Sequence, residues 1–217
     1  MGRKSGVTPE ETRAQVLDAA ARLFAEQGYE GASLAGIAAD AGLSKGSIYG
    51  HYATKAELFF AVVREFGERE FGLIAEDPDG EWCAPVDLED FLSRAGASYA
   101  HPNTPLAALM MEAVVASRRH DDVADLIRTW LIEGEGRMAA SIELTQREGT
   151  TVPDVPAAEA ARFLTMVSLG ARIVGALDMP SVDEKRWVQL IDQLLDPLRS
   201  EPQTPRSSPD GSESSTP

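Results

Sequence analysis

Three observations predict an all-α chain in two parts. Between residues 31 and 59, glycine, capping and apolar positions fall where a helix-turn-helix needs them. The remainder carries helical periodicity with no competing strand pattern. Its 217 residues, 43% of them hydrophobic, are enough to bury a sizeable core, and the length allows two domains. The expected architecture is therefore a three-helix helix-turn-helix reader at the N-terminus with a larger helical body behind it.

Thr8-Pro9-Glu10-Glu11 opens the first helix as a capping box with proline at the first helical position. Val16, Leu17, Ala20, Leu23 and Phe24 then share one face, and Gly28 is expected to end the helix. Ser33 caps a second helix from about Leu34 to Ala41. Gly42 makes the turn, because two helices crossing at about 100° need a residue tolerant of positive φ between them. Ala38 is small enough for close approach, and Ile48 plugs the angle with Ile37 and Leu43. Ser44 caps the third helix, which turns Lys45, Ser47, Tyr49 and His51 outward. Thr54-Lys55-Ala56-Glu57 is a further capping box and starts a fourth helix leading away.

A helix that buries one isoleucine and exposes lysine, serine, tyrosine and histidine is suited to a major groove, its first turn on base edges and the rest on phosphate. Lys55 and the positive end of the fourth helix are placed to face phosphate as well.

Residues 8 to 62, and above all the segment ending Gly28-Tyr29, the run Ser47-Ile48-Tyr49-Gly50-His51-Tyr52 and Lys55, resemble the N-terminal domain of the tetracycline-repressor (TetR) family of bacterial transcription regulators. The resemblance implies that Lys45 and Ser47 touch bases, that Tyr49 and His51 contact phosphate, and that Lys55 does so from the start of the fourth helix. Ser33, Gly46 and Gly50 complete the DNA-facing set, and Tyr52 belongs to the core. Ala35 and Gly50 depart from the family pattern, which often has longer side chains there, so direct base readout rests on few groups. Arg3 and Lys4 are expected to compensate by entering a minor groove. The domains read as a flexible basic arm (1–8), a helix-turn-helix DNA-binding domain (9–54), a helical effector-binding and dimerisation domain (55–199) and a disordered tail (200–217).

The formal charge of −15 divides unevenly. Residues 1 to 55 hold six Lys or Arg and six Asp or Glu, so the whole excess lies behind the reader. Such a body repels DNA away from the reading face and orients the approach, although an acidic surface also simply maintains solubility. The single cysteine, Cys83, excludes an intrachain disulfide or a multi-cysteine metal site and fits a cytoplasmic location. The longest apolar stretch, 157–177, is interrupted by Glu159, Arg162 and Arg172 and makes a poor membrane span.

Breaks rich in glycine, proline and aspartate divide the body into helices expected near 55–76, 87–100, 105–118, 122–148, 157–178 and 183–198. After Ser200 there is no large apolar side chain to offset the entropy of ordering. The helix from Ala157 is apolar on two sides: Phe163, Val167, Val174 and Leu177 form one stripe, and Met166, Leu169 and Ile173 another. A lane of small residues, Ser168, Ala171 and Gly175, separates them. Together with Trp187, Leu190 and Leu194 of the last helix, the residues Phe163, Val167, Leu169, Gly170, Ile173 and Val174 are expected to meet their symmetry mates in a four-helix homodimer interface.

The family resemblance also places a ligand pocket in the body, and Phe66, Trp82, Phe91, Tyr99, Met110, Met111, Trp130, Met138 and Met166 are its candidate lining, suited to an apolar or aromatic effector. Glu112, flanked by Leu109, Met110, Met111 and Val114, has two readings, a polar anchor for an effector and a helix-edge carboxylate, and the second is preferred. His51, His101 and His120 lie on separate elements with no metal-ligand spacing and no nucleophile motif, so neither an enzyme, a metal nor a cofactor is expected. The leading expectation is a repressor released from a palindromic double-stranded operator by a small molecule. The alternative is a structural or nucleoid-associated DNA-binding protein without an effector, which a body lacking a cavity would favour.

Overall fold

The computed structural model describes residues 8–71, 92, 105–148, 155–177 and 182–196, and within them the chain forms eight helices and no strand. They are α1 (Pro9–Gly31), α2 (Leu34–Asp40), α3 (Lys45–Tyr49), α4 (Lys55–Phe71), α5 (Pro105–Ser117), α6 (Asp121–Arg147), α7 (Ala157–Ala176) and α8 (Glu184–Leu195). Arg3, Lys4, Trp82, Cys83, Phe91, Tyr99, the helix expected near 87–100 and the tail from Ser200 lie outside the described residues.

Local chemistry sets the boundaries. Thr8 and Glu11 satisfy each other's backbone N–H groups in a closed capping box, with Pro9 at the first helical position. Gly28, with φ 72° and ψ 172°, interrupts α1 as expected, but one further turn forms before Ala32 caps it. Ser33 and Ser44 accept from the backbone N–H groups of Gly36 and Ser47 at the starts of α2 and α3. Gly42 has φ 66°, the left-handed conformation the turn requires. At the start of α4, Thr54 accepts from the Glu57 N–H, while the Glu57 carboxylate reaches the N–H of Ala53, one residue earlier than in an ideal box.

Reader and body share one core. Val16, Leu17, Ala20 and Phe24 of α1, Ile37 of α2, Ile48 of α3 and Leu58, Phe59, Val62 and Val63 of α4 are continuous with Leu109, Met110 and Ala113 of α5 and Val123 and Ile127 of α6. The chain therefore changes direction at residues 54–55 without a packing boundary. A second cluster joins Ile142 of α6, Ala161 and Leu164 of α7 and Ile191 and Leu195 of α8, with Leu92 among them. The acidic body is tied to the reader by Arg13–Glu65 at 3.4 Å, and Arg22–Asp40 at 2.7 Å fixes α2 on α1.

Candidate nucleic-acid interface

The sequence of α3 decides what it can offer. Ile48 is fully buried in the core that α1, α2 and α4 also share, which fixes the rotation of the helix about its axis. Everything else on α3 is then turned out. Lys45, Gly46, Tyr49, Gly50 and His51 are exposed, and Ser47 is half-buried with its hydroxyl 2.9 Å from that of Ser44. The Lys45 ammonium stands 5.6 Å from the centre of the Tyr49 ring, one turn on, so cation and phenol share one face. Tyr49 is 49% exposed, too open to be a packing residue, whereas Tyr52 is buried. Ser33 is exposed at the start of α2, and its hydroxyl is committed to capping.

Lys55 departs from expectation. Its ammonium donates to the carbonyls of Tyr29 at 2.7 Å and Ala32 at 3.3 Å and lies 4.3 Å from the centre of the Tyr29 ring. A cation at carbonyls left over by the end of a helix is stabilising. Lys55 is thus the clasp between α4 and the end of α1, and a phosphate would have to compete for it.

Tyr29 is a hub that the sequence did not announce. Its ring packs edge-on to Phe59 of α4 at 5.2 Å and beside the His120 imidazole at 4.9 Å. Its N–H donates to Glu112 of α5 at 2.7 Å, and the neighbouring Glu30 pairs with His120 at the start of α6. Glu112 is therefore no free helix-edge carboxylate. Gly28 makes the contact possible, because a Cβ there would lie 3.2 Å from the Glu112 carboxylate oxygen. Burial pushes the Tyr29 hydroxyl up to about 12, with the charges of Asp122 and Glu30 acting in the same direction. The His120 hydrogen bond, followed by its charge and those of Lys55 and Arg119, outweighs desolvation and holds the Glu30 carboxyl below its ordinary value. The available signals were a carboxylate among Leu109, Met110, Met111 and Val114 and a histidine at a helix break, neither of which names a partner 83 or 90 residues away.

The body residues sort by facing. Met110 is buried in the shared core, with Phe66 and Trp130 packed against it and Met111 half-buried. Trp130 lies edge-on to Phe60 at 6.5 Å, and its ring edge occupies the space that a Cβ on Gly67 would enter, 3.0 Å away. Met138 packs with the second cluster instead. Met166, expected in the pocket, is 58% exposed on the outer side of α7. It joins Phe163, Ile173 and Leu177 there, with Gly170 in the middle facing open space. Leu190 and Leu194 of α8 are exposed too.

Three expected interface residues face inward. Leu169 packs on the shared core, Val167 on the second cluster, and Trp187 beside it, where the indole N–H donates to the Leu92 carbonyl at 3.0 Å. Val174 is half-buried. The small lane of Ser168, Ala171 and Gly175 is buried as well and carries Arg172, which is only 5% exposed. Among the described residues no group of three or more potential metal ligands occurs, and no helix is long and apolar enough to cross a membrane.

Residues 16–62 match the family model described as bacterial regulatory proteins, tetR family. The HTH-type transcriptional regulator UidR of Escherichia coli (strain K12) is 25% identical over 159 residues, covering 73% of this chain and 79% of its own length. The HTH-type transcriptional repressor AcnR of Corynebacterium glutamicum is 36% identical over 77 residues, 36% of this chain and 41% of its own. Among solved structures, Salmonella enterica GusR aligns with a TM-score of 0.70 at 23% identity, covering 88% of this chain and 98% of that one.

Proposed function

We propose that this chain is a helix-turn-helix transcription regulator of the tetR family of bacterial regulatory proteins, which its residues 16–62 match, and that it is a homodimeric repressor whose two α3 helices read a palindromic operator and which a small molecule releases. The observation that carries this reading is the face of α3. With Ile48 buried, Lys45 at the first turn and Tyr49 and His51 beyond it point outward together. Lys45 and Ser47 address base edges, and Tyr49 and His51 address phosphate. That AcnR is named a repressor supports the sign of regulation.

Dimerisation is assigned to the outer side of α7 and α8. Phe163, Met166, Gly170, Ile173 and Leu177 recur at alternating intervals of three and four, the spacing of a helix–helix seam. Gly170 allows close approach, and Leu190 and Leu194 extend the apolar surface. A second copy offers the same surface, so a twofold axis covers both at once.

The effector, an apolar or aromatic molecule, is assigned to the part of the body around Phe66, Met110, Met111 and Trp130, where it would have to displace packed side chains. Trp130 supports this choice because its ring edge rests on α4 at Gly67, so a ligand that moves the indole presses directly on the helix leading to the reader. Complete switching needs a differential affinity of about 5.5 kcal/mol between the two states. Selection of duplexes from a randomised pool, followed by footprinting, should enrich one palindrome with half-sites about 34 to 36 Å apart. Enrichment of no consensus would overturn the reading in favour of a structural DNA-binding protein.

A further inference from the structure

We propose that Glu112 and His120 are positioning residues for DNA recognition: they hold the Gly28–Glu30 elbow of α1 and so set the angle at which the body presents its reading helix. The proposal rests on the two-headed reading above. Three helices of the body side converge on one elbow. Glu112 of α5 accepts from the Tyr29 N–H at 2.7 Å, His120 at the start of α6 pairs with Glu30 and lies against the Tyr29 ring, and Lys55 of α4 clasps the Tyr29 and Ala32 carbonyls. The elbow is itself a break in α1, since Gly28 has φ 72° and leaves the N–H of Tyr29 free to point at α5. A backbone N–H bonded by a carboxylate from another helix is a directional, charge-assisted contact, and it fixes orientation where apolar packing alone permits sliding.

The reading surface on α3 lies elsewhere on the domain and none of its side chains is part of this elbow. Loss of the contact should therefore leave each reader intact and disturb only the geometry between two of them. That difference separates positioning from ordinary stabilisation.

The test compares two probes: the palindromic duplex enriched from a randomised pool, and the same duplex with one half-site scrambled. Wild type should prefer the full palindrome. Glu112→Ala should lose on the order of tenfold on the full palindrome, as removal of a charge-assisted bond implies, and keep its affinity for the scrambled duplex. Glu112→Gln should recover most of the loss, because its amide oxygen still accepts from the Tyr29 N–H. His120→Ala, a change at a partly exposed site that is safer for folding, should shift the ratio of the two affinities a few-fold in the same direction. Equal losses on both probes, or an unchanged ratio in both Glu112→Ala and His120→Ala, would overturn the inference while leaving the two-headed reading in place. If wild type itself bound both probes equally, the two-headed reading would fall and the inference with it.

Discussion

Tyr29 carries the tightest coupling between residue chemistry and fold. Burial keeps its phenol neutral up to about 12, whereas an unfolded tyrosine releases its proton near the ordinary value of 10.0. The folded chain therefore holds more protons than the unfolded chain between those values, and stability falls as pH rises through that window. Tyr52, also raised mainly by burial, adds to the same trend. Denaturant midpoints measured across the alkaline range should decline, and Tyr29→Phe should make the decline shallower; identical slopes would refute the assignment. At the reading face, Lys45→Ala should narrow the gap between operator and random DNA, whereas Tyr49→Phe should weaken both alike if it only grips phosphate. Affinities measured at several salt concentrations separate the two outcomes.

At the scale of elements, short-range chemistry was legible and long-range partnership was not. Thr8, Ser33, Gly42 and Ser44 act within three or four residues of themselves, and each cap or turn stands where the sequence put it. The sequence reads Lys55 as a phosphate contact and Glu112 as a helix-edge carboxylate, because the groups that claim them, the carbonyl and N–H of Tyr29, are backbone atoms with no sequence signature. For α7 the periodicity showed two apolar sides but could not say which met the chain's own core. Six of the nine dimer-face candidates sit there, and of these Leu169 and Val167 pack inward, while Met166 points out. An arginine at Leu169 or Gly175 would consequently unfold the body before it tested an interface. The turn itself is open to a direct check. Gly42→Ala places a side chain at φ 66° and should cost roughly 1–2 kcal/mol, and Ile48→Ala, which empties a fully buried site, about 2–5 kcal/mol. Chemical denaturation of each variant should show the larger loss for Ile48→Ala; a neutral result there would mean that α3 is not anchored by its one buried side chain.

The whole molecule places a reader of balanced charge on a body that holds the entire net charge of −15. On the proposed reading, such a body keeps nonspecific adhesion weak, and productive binding depends on two readers engaging together. That dependence makes the outer face of α7 and α8 decisive. Arginine at Met166 or at Gly170 places a charge in the proposed seam without disturbing the buried side of α7. The most direct measurement is the mass of protein, by sedimentation equilibrium, alone and on the enriched duplex, for the native chain and for Met166→Arg and Gly170→Arg. Dimers bound in pairs of chains for the native protein, and folded monomers with poor operator affinity for both variants, are the expected result. A native monomer bound tightly to the duplex, or variants that stay dimeric, would contradict the account.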